Sequence, residues 1–181
     1  FTVNLRTGKT NYHQKNYLDW KVTLLDTGKS TMTGGRVKRL KKYIGNEPFF
    51  LTYGDGVSNV NIDDLLKFHK GHNKMITMTA VRPPARFGEL ELNEKGLVKS
   101  FKEKPQMHKG WINGGFFVVE PEFIELIDSD ETLLEREPLE KAAEINELMA
   151  FKHEGFWQCM DTMRDKQLLE KLWNKGDAPW E

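Results

Sequence analysis

Residues 49–56 (FFLTYGDG) place one acidic residue directly after a continuous apolar run. An apolar run of this kind, at 48–53, is typical of a strand that is buried on both faces of a parallel sheet. Ligands of open α/β sheets bind beyond the carboxyl ends of the strands, and Asp55 falls at such an end between two glycines. Magnesium is bound by a few carboxylates together with phosphate oxygens and water. The pattern therefore predicts a strand that delivers Asp55 to a metal and phosphate site, with an ordinary Asp-Gly turn as the alternative.

The segments on either side predict an α/β fold. Residues 21–26 (KVTLLD) and 75–81 (MITMTAV) are rich in β-branched and apolar residues, which indicates strands. Residues 37–44 (VKRLKKYI) and 61–69 (NIDDLLKFH) repeat apolar residues at helical spacing, and Asn61 is a typical N-cap. A strand, a helix and a strand in this order predict a right-handed βαβ unit. The expected fold is a Rossmann-like, mainly parallel sheet that is flanked by helices.

The second half of the chain departs from this pattern and then returns to it. Residues 87–101 alternate apolar and polar residues around 93–96, which indicates a small β-hairpin outside the main sheet. Thr162, with a carboxylate three residues later, resembles a capping box that opens a helix. We expect residues 1–181 to form one domain, because no repeat or linker interrupts them. The remaining predicted elements are a buried strand at 112–119, a short helix at 121–127, an amphipathic helix at 138–149 and an edge strand within 151–157.

The charge balance and the cysteine count exclude several classes of protein. Lys+Arg and Asp+Glu both number 27, so no net field attracts nucleic acid or an anionic membrane, and we expect neither as a partner. The single cysteine, Cys159, cannot form a disulfide framework, which suits a reducing cytoplasm. No apolar run approaches the roughly 20 residues of a membrane-spanning helix.

A second carboxylate precedes the predicted C-terminal helix in Met160-Asp161-Thr162. Asp and Thr are both favoured N-caps, so capping alone would explain the sequence. If Thr162 caps the helix, however, Asp161 is available to bind the same cation as Asp55.

Residues 101–105 (FKEKP) end the predicted hairpin with charged side chains. A solvated charge run is the ordinary interpretation of such a sequence. A Glu accepts hydrogen bonds from sugar hydroxyls, however, and a Lys supplies a point charge for a phosphate. Together with Gly88 and with Asn113, which two glycines follow, Glu103 and Lys104 indicate a polar pocket that suits a sugar phosphate.

Residues 31–36 (TMTGGR) end a predicted loop at 27–36 and enter the helix at 37–44. Glycines at a helix start can leave backbone amides open to an anion or to the edge of a base. The chain has neither a Walker A loop nor a GxGxxG fingerprint. The histidines lack the paired spacing of a zinc site, and His69 and His72 fit a solvated helix end.

Taken together, these stretches resemble the sugar-1-phosphate nucleotidyltransferases, and most closely the branch that transfers cytidylyl groups to glucose 1-phosphate. The resemblance covers nearly the whole chain, and its motifs occur in the order that the family shows. They are VTLLDTG (22–28), MTGGR (32–36), YGDGV (53–57), RFGEL (86–90), FKEKP (101–105), INGGFFV (112–118), EPL (137–139) and GFWQCMDTMRDK (155–166).

The resemblance implies a reaction and a set of site residues. CTP and α-D-glucose 1-phosphate would give CDP-glucose and pyrophosphate, with Mg²⁺ as the cofactor. Asp55 and Asp161 would bind the metal, and these two residues with Lys104 would be catalytic. The substrates would be bound by Thr33, Gly34, Gly35, Arg36, Tyr53, Gly88, Glu103, Lys104 and Asn113.

The family's N-terminal glycine-rich nucleotide loop, with its Arg and its Lys-Pro pair, does not occur in these 181 residues. We expect residues 1–181 alone to turn over poorly and to leave a central strand edge unpaired, because groups that stabilise charge in this way contribute orders of magnitude in rate. Two alternatives stay open. One is a non-catalytic nucleotide-sugar-binding or regulatory module, and the other is a uridylyl- or thymidylyltransferase of the same superfamily. The family also implies a homo-oligomer in the bacterial cytoplasm that supplies CDP-linked sugars to lipopolysaccharide O-antigen.

Overall fold

A computed structural model describes residues 1–13, 20–82, 89–92, 94, 97–102 and 110–181, with the backbone alone for 89–92 and 101–102. The strands are β1 (Thr2–Val3), β2 (Thr10–Asn11), β3 (Phe49–Thr52), β4 (Gly56–Ser58), β5 (Ile76–Val81), β6 (Glu89–Leu92), β7 (Val98–Lys102), β8 (Ile112–Val119), β9 (Leu148–His153) and β10 (Trp157–Cys159). The helices are α1 (Thr33–Arg39), α2 (Lys41–Ile44), α3 (Ile62–Lys70), α4 (Glu137–Glu144), α5 (Met163–Lys175) and a 3₁₀ helix at Pro121–Leu126.

Four strands form the main sheet in the order β3-β8-β5-β9. β8 is antiparallel to both of its neighbours, whereas β5 and β9 are parallel to each other. β3, β5 and β9 therefore run in one direction, with β8 inserted against them. This arrangement confirms the predicted α/β fold, and it places the carboxyl ends of β3, β5 and β9 at one edge of the sheet.

Helices cover both faces of the sheet. Thr77 of β5 points to one face, where its hydroxyl contacts His69 of α3. Neighbouring residues of a strand alternate between faces, so Ile76 points to the other face, where α1, α4 and the 3₁₀ helix pack. Burying each large apolar side chain there contributes about 1.5–3 kcal/mol before the conformational entropy is subtracted. This core cluster consists of Val37, Ile76, Phe117, Val119, Phe123, Ile124, Ile127, Leu134, Leu139 and Ala142.

Several predicted elements are confirmed with small shifts of their ends. The predicted strand at 112–119 coincides with β8. α3 begins after Asn61, whose Oδ1 accepts a hydrogen bond from the amide of Asp64 at 3.0 Å. β6 and β7 pair as the predicted hairpin, and α5 opens with the predicted capping box of Thr162 and Asp165. Among the helices of the described ranges, none combines the length and the apolar character that crossing a membrane requires.

The predicted strand at 21–26 is wrong. Residues 20–28 form neither a helix nor a strand, and the side chain of Leu24 is 89 % exposed. A strand is stabilised by the hydrogen bonds and side-chain contacts of its neighbour. No strand in the described part of the chain pairs with this segment, so its β-branched residues alone do not produce one.

β3 occupies the predicted position, but the prediction that it is buried on both faces is wrong. Phe49 and Leu51 pack partly against the core, whereas Phe50 on the other face is 47 % exposed. β3 pairs with β8 on one side, and among the described residues no strand pairs with its other side.

The predicted helix at 138–149 is a shorter helix followed by a strand. α4 ends at Glu144, Asn146 adopts the left-handed region with φ of 60°, and β9 begins at Leu148. β9 pairs with all six residues of β5, and this long-range ladder outweighs the local helical period. Ala143, near the end of α4, and Ile145, directly after it, are both exposed, although the helical pattern turned them inward.

The first predicted helix also changes its bounds. α1 begins at Thr33, inside the segment predicted as loop, and a second short helix, α2, follows Leu40. Val37 is buried as predicted, but Tyr43 at the far end of the pattern is exposed.

The prediction of a solvated helix end is wrong for His69, which is only 2 % exposed. Its Nδ1 lies 2.8 Å from the Thr77 hydroxyl, and its Nε2 lies 3.1 Å from a carboxylate oxygen of Glu120. Nε2 of His72 contacts the same hydroxyl at 2.7 Å, and its Nδ1 accepts the amide hydrogen of Lys74. Burial lowers the pKa of His72, so this side chain is neutral at neutral pH. His69 and His72 together hold α3 against β5 through the Thr77 hydroxyl.

Candidate active site

Two short strands bring the two predicted metal ligands together. β4 begins directly after Asp55 and pairs antiparallel with β10, so that Gly56 lies opposite Cys159. The amide of Met160 donates to the carbonyl of Asp55 at 2.8 Å and extends the ladder. Asp161 follows, and a carboxylate oxygen of each acid lies within 4.8 Å of the other. We call β4, β10 and these two acids the acid ladder.

Cys159 is the third side chain at this end of the acid ladder. Its Sγ lies in the same 4.8 Å cluster and contacts Oδ1 of Asp161 at 3.1 Å. Burial, this hydrogen bond and the charges of Asp55 and Asp161 raise the pKa of Cys159 to about 12. The thiol therefore stays protonated at neutral pH and donates to Asp161. Sequence reasoning used Cys159 only to infer a redox compartment, although its position two residues before Asp161 was an available signal.

The donor set of the acid ladder fits a hard cation that keeps water or phosphate oxygens. Both carboxylates are exposed, so other ligands have access to an ion between them. Mg²⁺ is usually held through one or two carboxylates together with substrate phosphates and water. Two exposed carboxylates with one thiol are not the Cys and His donor set that is typical of a structural zinc site. Asp55 and Asp161 therefore suit Mg²⁺, and Cys159 orients Asp161.

An open pocket of about 570 Å³ includes one of these acids. Its lining residues are Thr52, Tyr53, Gly54, Asp55 and Glu135. The Tyr53 hydroxyl accepts a hydrogen bond from Nδ2 of Asn113 at 3.2 Å and donates to the carboxylate of Glu135. Burial and the bond to Glu135 raise the pKa of Tyr53 well above its ordinary value, so the phenol is neutral. The structure thus brings together two residues that were predicted to bind substrate, Tyr53 and Asn113.

Glu135 is a charged pocket residue that sequence reasoning missed. Its Oε2 accepts a hydrogen bond from the hydroxyl of Thr33 at 2.8 Å, in addition to the bond from Tyr53. Glu135 therefore links Thr33, which the resemblance assigns to the substrate site, with Tyr53 and Asn113. A carboxylate just before a helix that starts with Glu-Pro was the only signal in the sequence.

The glycines of α1 do not form the predicted open amides. The amides of Gly34 and Gly35 donate to the carbonyl of Thr132 at 3.0 and 3.3 Å. A Cβ on Gly34 would lie 2.7 Å from that carbonyl oxygen, and a Cβ on Gly35 would lie 2.6 Å from Cα of Asp130. Glycine is therefore needed here for close packing, and the hypothesis that these amides hold an anion is wrong. Substrate binding by Gly34 and Gly35 stays a prediction from the resemblance alone.

Arg36, the last residue of that motif, faces the loop before α1. Its Nη1 donates to the hydroxyl of Thr27 at 2.6 Å, and its Nη2 donates to the carbonyl of Lys29 at 3.4 Å. In this structure Arg36 therefore fastens the loop to the helix, and its contact with substrate stays a prediction.

Three further predicted residues, Gly88, Glu103 and Lys104, lie outside the described residues. Their roles at the sugar and its phosphate stay predictions.

The sequence of this chain is similar to a family model and to known proteins. A family model described as nucleotidyl transferase matches residues 8–169. The chain is 52% identical over 180 residues to the glucose-1-phosphate cytidylyltransferase of Salmonella typhi, which covers 99% of this chain and 70% of that relative. It is 41% identical over 162 residues to the probable glucose-1-phosphate cytidylyltransferase of Bacillus subtilis, with 89% and 63% covered.

Solved structures share the fold of this chain. HddC from Yersinia pseudotuberculosis superposes with a TM-score of 0.59 at 21% identity, over 80% of this chain and 64% of that one. A putative glucose-1-phosphate thymidylyltransferase from Bacillus anthracis gives 0.58 at 14% identity, over 80% of this chain and 62% of that one. At such identities the match establishes the α/β fold and nothing finer.

Proposed function

Because this chain belongs to the nucleotidyl transferase family, we propose that it transfers the cytidylyl group of CTP to α-D-glucose 1-phosphate, giving CDP-glucose and pyrophosphate. The sequence support is the 52% identity, over 99% of the chain, to the Salmonella typhi relative of that name. The chain spans 70% of that relative and 64% of the HddC chain, so the reaction is proposed for the protein that contains it.

The observation that carries this proposal is the convergence of Asp55 and Asp161 beside a pocket of hydrogen-bonding side chains. In the proposed reaction a phosphate oxygen of the sugar phosphate attacks the α-phosphorus of CTP, and the bond to the leaving pyrophosphate breaks in line. Such a transfer requires the alignment of the reactants and the neutralisation of phosphate charge. Asp55 and Asp161 would hold Mg²⁺, which when bound supplies positive charge to the phosphate oxygens.

The pocket supplies groups that recognise a hydroxylated ligand. Glu135 accepts hydrogen bonds, and the neutral phenol of Tyr53 both donates and accepts them. Asn113 is held by two bonds, since its Oδ1 accepts the amide hydrogen of Gly115 at 2.8 Å and its Nδ2 donates to Tyr53. Side chains fixed in this way lose little further freedom when a sugar binds. We infer that Tyr53, Asn113 and Glu135 orient the hexose, with Thr33 holding Glu135 in place.

The finer assignments follow from the resemblance. We propose that Glu103 and Lys104 hold the glucose phosphate, that Gly88 lines the sugar, and that Lys104 is catalytic. We also propose that the protein acts as a homo-oligomer in the cytoplasm, where its CDP-glucose would enter the synthesis of O-antigen sugars.

A pyrophosphate-release assay tests the proposed reaction. The native gene product is incubated with glucose 1-phosphate and Mg²⁺, and CTP is compared with UTP, dTTP, ATP and GTP. We expect release with CTP to exceed release with each of the others, and we expect EDTA to abolish it. Activity with UTP or dTTP and none with CTP would show that the protein is a uridylyl- or thymidylyltransferase instead. Silence with all five, together with calorimetric binding of CDP-glucose, would favour the non-catalytic module.

A further inference from the structure

The Asn113-Gly114-Gly115 segment of β8 is a junction between the pocket and the acid ladder. The register of β5 against β8 shifts between Met78 and Ala80, and Gly115 has φ of 79°, so β8 bulges here. The carbonyl of Gly115 accepts the amide hydrogen of Tyr53 at 3.1 Å. One end of the junction therefore fixes Asn113 and Tyr53, the two residues that we place at the hexose.

Trp157 ties the acid ladder to the other side of this bulge. It is the first residue of β10, and its indole Nε1 donates to the carbonyl of Gly114 at 2.8 Å. Gly56 of β4 lies against the same carbonyl, because a Cβ on Gly56 would be 3.8 Å from it. The indole hydrogen bond thus links β10, which precedes Asp161, to β8, which carries Asn113.

The bulge has little room to move independently of its neighbours. A Cβ on Gly114 would lie 2.8 Å from Cγ1 of Val81, and a Cβ on Gly115 would lie 2.7 Å from Cδ2 of Tyr53. Groups that are packed this closely transmit a displacement to their neighbours. A ligand that orders Asn113 and Tyr53 therefore also fixes the carbonyl that Trp157 uses.

We propose that Trp157 is a positioning residue that couples the binding of the sugar phosphate beside Asn113 to the placement of the metal ligand Asp161. The identity of the two ligands, a sugar phosphate and a metal ion, rests on the proposed function. Through its hydrogen bond to Gly114, Trp157 sets the position of β10, and Asp161 lies four residues further along the chain. Coupling between two sites is reciprocal, so each ligand tightens the other by the same factor.

Calorimetry without CTP measures this coupling in the absence of turnover. The Mn²⁺ affinity of the native gene product is measured with and without glucose 1-phosphate, and the affinity for glucose 1-phosphate is measured with and without Mn²⁺. We expect each ligand to tighten the other by at least about fivefold. In Trp157→Phe, which keeps an aromatic ring but removes the N–H, we expect each ligand alone to bind within about twofold of its native affinity and the coupling factor to fall to about one.

The matched control is Trp173→Phe, on an exposed position of α5. We expect this variant to keep the native coupling, with both variants folded at the assay temperature by circular dichroism. The proposal is overturned if the native protein shows no coupling, if Trp157→Phe retains it, or if Trp173→Phe loses it equally.

A measurement on the unaltered protein covers the case in which Trp157→Phe does not fold. The Nε1 proton of Trp157 should exchange with solvent at least about fivefold more slowly once glucose 1-phosphate is bound, because the bulge that accepts it is then ordered. An unchanged exchange rate would contradict the coupling. Coupling without pyrophosphate release from CTP would refute the proposed reaction alone, and turnover without coupling would refute this inference alone.

Discussion

The centre of the main sheet and the acid ladder are built from strands in opposite ways. β5 and β8 are six and eight residues long, carry helices on both faces and bury residues such as Phe117, which is 1 % exposed. β4 and β10 are three residues each and are only partly buried, and one exposed carboxylate lies just before β4 and another just after β10. The buried area therefore lies in the sheet centre, and the charge lies in the acid ladder.

The two regions therefore have different roles, because the sheet centre stabilises the fold and the acid ladder carries the residues that we place at the metal. Stability grows with the apolar area removed from water, which the sheet centre supplies. Exposed like charges that lie close together do not stabilise the fold, and we propose that a bound cation accounts for their proximity. Substitutions in the two regions should therefore affect different measurements.

The largest effect is expected from Asp55→Asn, which removes one charge of the acid ladder with little change in shape. Pyrophosphate release should fall by about 10³-fold or more, because the metal loses a charged ligand. The free energy of unfolding, measured by urea denaturation, should stay within about 0.5 kcal/mol of the native value. Asp177→Asn, an exposed acid after α5, is the control and should keep both properties. Retention of activity by Asp55→Asn would reduce residues 53–56 to an ordinary turn.

Phe117→Ala tests the opposite region. Removal of this ring from the core should lower the free energy of unfolding by about 3–5 kcal/mol. Phe50→Ala, on the exposed face of β3, should cost less than about 1.5 kcal/mol by the same urea titration. Equal losses at the two positions would show that the sheet centre is not where the stability lies.

Gly115→Ala affects the junction between the two regions. The left-handed backbone alone should cost about 1–2 kcal/mol, and the Cβ would also collide with the ring of Tyr53. Gly110→Ala is the matched control, since Gly110 has φ of 95° and no heavy atom of the described residues lies near its Cβ position. We expect Gly115→Ala to unfold at the lower urea concentration and to lose about tenfold in kcat/KM, which is about 1.4 kcal/mol of transition-state stabilisation. If the two variants match in both measurements, contact with Tyr53 does not constrain the site.

The smallest effect concerns the sheet end away from the acids, where His72 contacts Thr77. Burial, His69 and Lys74 lower the pKa of His72 below the usual value near 6.5, and Glu147 only partly opposes them. Below that value the unfolded chain binds more protons than the folded one, so stability should fall as the pH falls from about 6.5. His72→Gln should lose less stability than the native protein between about pH 7 and about pH 5.5 in urea titrations. An identical pH dependence in both would remove His72 as its source.

The sequence predicted those parts of the molecule that local chemistry determines. The cap at Asn61, the capping box at Thr162 and the strand at 112–119 follow from residues within a few positions of each other. The proximity of Asp55 and Asp161 was inferred from the predicted cap at Thr162, which leaves Asp161 available to the cation of Asp55, and from the resemblance, which assigns both acids to one metal.

Long-range pairing explains what the sequence did not show. Residues 148–149 continue a helical period, but the parallel ladder with β5 makes them strand. Residues 21–26 have strand composition without a described partner. Glu135 reaches the site through its contact with Thr33, and Cys159 through the pairing of β10 with β4, both of which join distant parts of the chain. Gly34 and Gly35 turn their amides to a carbonyl almost 100 residues away.

The Mg²⁺ dependence of pyrophosphate release by Asp161→Asn tests the acid ladder most directly. Native protein and variant are compared with CTP and glucose 1-phosphate over a wide range of Mg²⁺. If Asp161 is the second metal ligand, the variant should need at least about tenfold more Mg²⁺ for half-maximal activity and should lose at least about 100-fold in kcat. A native Mg²⁺ dependence and a native kcat in Asp161→Asn would contradict a metal site shared between Asp55 and Asp161.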